Sequence, residues 1–215
     1  MSNVNDAVKP VTAYSHARMP TKHGDFRLLV YHLDGSSDKE HVAMVRGDIG
    51  GGGAVLCRVH SECFTGEVMG SLRCDCQAQL DRALERIAEE GRGVVVYLRQ
   101  EGRGIGLSDK IRAYALQDEG ADTMEANLAL GFDADLRSYE LAAAILADLS
   151  VTSVRLMTNN PDKLEGLSRA GVAVVREAHW VGESEHSAEY LRVKRDKMGH
   201  IASSGAQPEA ARAKR

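Results

Sequence analysis

Residues 26–32, 41–46 and 54–60 alternate apolar and polar side chains and are separated by Gly, Ser and Asp. A period of two fits an extended strand with one buried face, so the first third reads as antiparallel sheet. At Gln77 the period changes. Leu80, Leu84, Ile87 and Ala88 form a helical stripe that stops at Gly91-Arg92-Gly93, and the apolar run 94–98 follows as a buried strand. Further helices are expected over 107–119 and 139–149, and a strand over 154–157 runs into Thr158-Asn159-Asn160-Pro161. Asn160 is placed to cap and Pro161 to open a helix reaching Arg169, ahead of Gly171 and a strand at 172–175. The expected fold class is mixed α/β (α+β): a β-rich N-terminal part with antiparallel strands, then alternating helices and strands, in a single domain.

A chain of 215 residues is long enough to bury one sizeable core. Residues 1–22 read as a loose N-terminal arm and 201–215, rich in Ala, Ser, Gly and charge, as a loose tail. The net charge of −4 carries no basic stripe, which argues against a nucleic-acid partner. No apolar run approaches a membrane span, and the polar start has no apolar signal region, so the expected location is cytoplasmic and the thiols reduced.

Three of the four cysteines, Cys63, Cys74 and Cys76, fall in one short segment. Cys74 and Cys76 are too close in sequence to pair with each other without strain. Structural zinc is closed by four protein ligands, whereas a catalytic zinc keeps one position for water or substrate, so a set of three suggests the catalytic kind. Cys57 shares the apolar face of its strand with Val55 and Val59 and reads as core, with a role as ligand left open. On the opposite face Arg58, His60 and Glu62 project together and lead to Cys63; a solvated strand face is the bland alternative.

Arg99-Gln100-Glu101-Gly102-Arg103-Gly104-Ile105-Gly106-Leu107 follows a buried strand and precedes a helix. Glycines there let backbone N–H groups approach an anion at a helix start, and Arg103 can add charge-assisted contacts to phosphate. The spacing fits neither common phosphate-loop pattern, and a turn without ligand is the alternative. In the next helix Lys110 and Tyr114 stand four apart on one face.

Arg58-Val59-His60-Ser61-Glu62-Cys63, Ser71-Leu72-Arg73-Cys74-Asp75-Cys76, Arg99-Gln100-Glu101-Gly102-Arg103, the helix from Lys110 to Asp118 and Thr158-Asn159-Asn160-Pro161 together resemble the signature blocks of GTP cyclohydrolase II. That enzyme opens riboflavin biosynthesis. The likeness spans residues 24–200, including Lys197-Met198-Gly199-His200, so 23–200 reads as the catalytic domain; Gly104 stands where Asn or a similar polar residue is common, and 179–186 departs from the usual spacing. The resemblance implies hydrolysis of GTP to 2,5-diamino-6-ribosylamino-4(3H)-pyrimidinone 5′-phosphate, formate and pyrophosphate. It implies one Zn²⁺ on Cys63, Cys74 and Cys76, Mg²⁺ with the triphosphate, and a homodimer. Tyr114 matches the acid for ring opening, Asp135 the general base and Arg137 the nucleophile at the α-phosphate. A guanidinium is a poor nucleophile near neutrality, so charge stabilisation suits Arg137 better. Recognition of GTP falls to Arg58, Val59, His60, Ser61, Glu62, Gln79, Glu101, Gly102, Arg103, Thr123, Thr158 and Lys163. Two alternatives stand beside this: the same chemistry on a related purine nucleotide in secondary metabolism, or a zinc-stapled nucleotide-binding module closed by a fourth ligand such as Cys57 or His60.

Overall fold

The computed structural model describes residues 10–33, 36–133 and 135–181, without the side chains of 36–38, 123 and 124. Seven strands form one sheet: β1 (Ser15–Thr21), β2 (Gly24–Leu33), β3 (Ser36–Arg46), β4 (Val55–Ser61), β5 (Gly93–Leu98), β6 (Ser153–Met157) and β7 (Ala173–Glu177). Their order is β1-β2-β3-β5-β4-β6-β7. The β1, β2, β3 and β5 pairings are antiparallel; β5, β4, β6 and β7 pair in parallel. The tail 201–215 and the Lys197–His200 block lie outside the described residues.

Two expectations change. Residues 54–60 were assigned to the antiparallel part, yet β4 is parallel to both its neighbours. Its connection to β5 contains α2 (Cys76–Glu90), and a helical crossover returns the chain to the same end of the sheet. The strand is buried on both faces from Val55 to His60, so its apparent alternation came from Arg58 and His60, which are polar but buried. The second change concerns residues 1–22, read as a loose arm. Ser15–Thr21 of that arm is β1, paired along β2 from Ser15↔Val30 to Thr21↔Gly24. Its side chains are nearly all exposed, so backbone pairing holds it and no hydrophobic period marks it.

The remaining helices are α1 (Phe64–Glu67), α3 (Gly106–Asp118), α4 (Thr123–Ala129), α5 (Glu140–Asp148) and α6 (Pro161–Arg169). On one sheet face Ala83, Leu84 and Ile87 of α2 pack on Phe26, Leu56, Val95 and Met157. On the other, Ala142, Ile145 and Leu146 of α5 and Leu167 of α6 cover Val55, Cys57, Val59, Val94, Val96 and Leu156. Cys57 is thus a core residue, as its strand position foretold. No helix among the described residues is long and apolar enough to cross a membrane.

This topology places the site. The four parallel strands end on the same side, and each hands the chain to a segment lining one cleft: β4 to Cys63, β5 to Glu101 and Arg103, β6 to Thr158 and Lys163, β7 to His179 and Trp180. The carboxyl ends of parallel strands are where α/β sheets accept ligands, because strand and crossover geometry leaves a crevice there.

Candidate active site

The metal-ligating atoms of Cys63, Cys74 and Cys76 all lie within 4.8 Å of one another, with the Cys63 and Cys74 sulfurs 3.5 Å apart. Cys63 follows β4, Cys76 opens α2, and α1 runs between them. α1 passes so close that a Cβ on Gly66 would sit 2.8 Å from Cys74 Sγ and 3.3 Å from Cys63 Sγ. Lys110 Nζ donates to Cys63 Sγ (3.1 Å) and to Glu101 Oε1 (2.7 Å). Hydrogen bonds from Cys74 and Cys76, then the Lys110 charge, hold the Cys63 thiol far below its usual range against the opposing effect of burial. Three convergent sulfurs with one already favoured as thiolate suit a soft, tetrahedral cation such as zinc. Among the described residues the group numbers three: Cys57 is in the core, and His60 Nε2 lies 2.6 Å from Glu67 Oε1.

Glu67 joins a buried and a half-buried ring, since Tyr97 OH donates to its Oε2 (2.6 Å) and the buried His60 stacks on Tyr97 at 5.7 Å. Burial pushes the Glu67 carboxyl up to about 7 and keeps His60 neutral, well below the usual imidazole value. Tyr114 borders the thiolates, its ring facing Arg73 at 4.9 Å and Lys110 at 5.7 Å. Burial raises its phenol pKa although Lys110 opposes the shift, so the proton is retained at neutral pH.

The β5 exit forms a 3-10 turn, Glu101–Gly104, in which Gly102 and Arg103 both have φ 61°. A left-handed arginine is strained by about 1 kcal/mol or more, and such strain gathers at functional sites. Arg103 O accepts from Leu136 N (3.0 Å), joining this turn to the Asp135–Arg137 segment. Arg137 faces the cleft and is gripped by Asp135: Nε donates to both carboxylate oxygens (2.9 and 3.0 Å), Nη2 donates to Oδ2, and the Arg137 backbone N–H donates to Oδ1 (3.0 Å). Burial would raise the Asp135 pKa, but the Arg137 hydrogen bonds and charge outweigh it and lower it.

The predicted recognition residues separate into several kinds. Arg58 is 5 % exposed; Nη1 donates to Met157 O (2.7 Å) and Nη2 to Gln79 Oε1, and burial pulls its pKa down to about 10. Lys163, also buried, donates from Nζ to Val59 O (2.8 Å), so Val59 contributes a carbonyl from within the core. Thr158 Oγ1 accepts from Asn160 N (3.0 Å) and shapes the turn into α6, where Asn160 Oδ1 caps Asp162 N (2.9 Å). Glu101 is occupied within the chain: Oε1 accepts from Lys110 and from Gly102 N (2.7 Å), and Oε2 from Phe64 N (2.6 Å). Glu62 sits at the rim, 3.4 Å from Arg99 Nε. The Thr123 side chain lies outside the described residues, and Thr123 opens α4. Arg58 Nε, His60 Nδ1 and Ser61 Oγ, in the C-terminal half of β4, are buried atoms without a hydrogen-bond partner. Buried polar groups are normally satisfied, so three orphans along one cleft wall mark where a polar ligand would bind.

Several contributors escaped sequence reading. Lys110 had a signal, four residues before Tyr114 and in a quoted block, but its partner Cys63 is distant in sequence. Gly66 and Glu67 had none beyond adjacency to the cysteines. Asn159 stood in a quoted block without a role, while His179 and Trp180, which complete this wall of the cleft, lay beyond the reach of any local spacing rule.

The sequence profile of the family described as GTP cyclohydrolase II matches residues 12–179. The chain is 56 % identical over 195 residues to the riboflavin biosynthesis protein RibBA of Salinispora tropica, covering 90 % of this chain and 48 % of that protein. It thus spans about half the length of that relative. It is 52 % identical over 188 residues to the GTP cyclohydrolase-2 of Histophilus somni, covering 87 % of each, and 54 % identical over 195 residues to that of Pseudomonas paraeruginosa, covering 90 % of this chain and 95 % of that protein.

Proposed function

Because the chain belongs to the GTP cyclohydrolase II family, we propose that its cleft hydrolyses GTP to the diaminopyrimidinone ribotide, formate and pyrophosphate, the first step of riboflavin biosynthesis. The observation that carries this reading is the meeting of three thiol ligands with Arg103, Arg137 and Lys163 in one cleft. A metal-activated water and phosphate-binding cations are the two needs of the two hydrolyses.

Cys63, Cys74 and Cys76 would hold zinc. When bound, zinc supplies Lewis acidity that makes water a nucleophile near neutrality. Three thiolates blunt that acidity, and the Lys110 ammonium at Cys63 offsets part of their charge. Tyr114 keeps its proton at neutral pH and borders the thiolates, so it supplies the proton when the guanine C8–N bond breaks. Arg58 and Gln79 form a polar wall whose geometry is fixed by Met157 O and Asp75. Asp135, acidified and engaged on both oxygens, orients Arg137 better than it accepts a proton. Arg137 then stabilises charge on the phosphates, and Mg²⁺ bound with the triphosphate would supply further charge neutralisation. Among the described residues three ligands converge, which favours turnover over a zinc-stapled binding module that needs a fourth. The soluble homodimer implied by the resemblance belongs to this proposal and is checked by light scattering.

The test is incubation of zinc-replete protein with GTP and Mg²⁺, measuring formate, pyrophosphate and the pyrimidine chromophore. Formate and pyrophosphate in equal amounts are expected; binding with neither product would leave the module reading. Cys74→Ser should lose formate release while retaining some pyrophosphate release. Arg137→Ala should lower kcat for pyrophosphate release by about 10²–10³-fold, the scale of losing one charge-stabilising donor.

A further inference from the structure

His179, 2 % exposed, ties the chain beyond β7 to the cleft. Its Nε2–H donates to the carbonyl oxygen of Gln79 (2.9 Å), in the first turn of the helix that begins at Cys76. Asn159 holds the His179 backbone: Nδ2 donates to His179 O (2.8 Å) and Oδ1 accepts from His179 N (3.4 Å). Arg176 Nη2 donates to the same Oδ1 (3.1 Å), fixing the amide's orientation. These bonds immobilise the backbone just before Trp180, whose indole lines the cleft and remains 38 % exposed. Trp180 is the only tryptophan in the chain and falls in the stretch that departs from the family's spacing.

Among the described residues Trp180 is, with Tyr114, one of two aromatic side chains lining the cleft, and its indole offers a flat apolar face beside the charged groups of Arg58, Arg103, Arg137 and Lys163. The flat apolar part of a nucleotide is its base, and base–aromatic stacking needs no hydrogen-bond match. His179 is bonded to Gln79, three residues from Cys76, one of the thiols where the reacting C8 must arrive, so the residue beside the indole sits on the wall that carries that thiol. We propose that Trp180 is a specificity-determining residue whose indole stacks on the purine ring of the bound nucleotide. The inference rests on the GTP-hydrolysis reading and assigns a contact within that site.

The single tryptophan of this sequence makes the proposal directly readable by intrinsic fluorescence of the zinc-loaded chain. Saturable quenching by GTP and by GMP is expected, with none from inorganic tripolyphosphate. Equal quenching by tripolyphosphate would place the indole at the phosphate end and overturn the proposal. Formate release from GTP without any quenching would overturn it while leaving the hydrolysis intact; quenching without formate would do the reverse. Trp180→Ala should raise KM for GTP by about tenfold or more and change kcat by less than about threefold, with Trp180→Phe restoring most of the loss. An unchanged KM in Trp180→Ala also removes the contact. Should the alanine variant misfold, Trp180→Leu, apolar but not aromatic, decides between stacking and packing: stacking requires it to behave unlike Trp180→Phe.

Discussion

Gly66 shows how a single side chain, or the lack of one, sets what the metal site tolerates. The approach of α1 to the thiols leaves no room for a methyl group, which would lie 2.8 Å from Cys74 Sγ. Gly66→Ala is expected to push the sulfurs apart at a cost of about 1–3 kcal/mol, weakening zinc retention by about 5- to 150-fold in competition with a chromogenic chelator. Unchanged retention with unchanged circular dichroism would show that α1 can move aside. Lys110 stands between Cys63 Sγ and the buried carboxylate of Glu101. Replacing it by Met leaves Glu101 without its cation and should destabilise the protein by about 3 kcal/mol in urea unfolding. The cysteines were legible in sequence because ligand number and spacing carry chemical meaning. The use of Glu101 was not, since a carboxylate beside a glycine turn reads equally as a ligand for substrate or for the chain itself.

The elements were legible where they were long or strongly punctuated. Asn160 and Pro161 announced α6, and the cap is present: Asn160 Oδ1 accepts from Asp162 N. Asn160→Ala is expected to lower stability by about 1 kcal/mol and, because Lys163 sits in the same first turn, to raise KM for GTP more than it lowers kcat. A wild-type KM would separate the cap from the cleft. α4 was missed although Asp122 and Glu125 cap it reciprocally, Asp122 N to Glu125 Oε2 (2.9 Å) and Glu125 N to Asp122 Oδ1 (3.0 Å). A helix of seven residues is too short to develop a hydrophobic period. β4 was found but its direction misjudged, because buried functional side chains imitate the polar half of an alternating strand.

At the scale of the whole fold, three histidines among the described residues are buried in neutral form, and this sets a pH response. Burial lowers His179 to about 3 and His41 to about 4, and takes His60 well below its usual value; the Arg99 N–H donates to His41 Nδ1 (3.2 Å). Unfolded histidines gain their proton near pH 6.5, so acid favours the unfolded chain. The stability these groups contribute is present above about pH 6.5 and is lost as pH falls from there toward 4 and below. Urea midpoints in excess zinc should drop from pH 7 to pH 5, and His179→Gln, which can still donate to Gln79 O, should lose less over that interval than the parent chain. Equal losses would shift the effect to the other two histidines.

The long connections of the parallel half also dictate an order of assembly. Cys63 and Cys74 meet across eleven residues, whereas Arg58 reaches Met157 O across 99 and Lys163 reaches Val59 O across 104. Closing short loops is fast and entropically cheap compared with closing long ones. A chain emerging from synthesis can therefore gather its thiols long before β6 and β7 dock to build the opposite wall. Interrupted before β6, it would have its thiols together and lack the wall that Thr158, Lys163 and His179 add to the cleft.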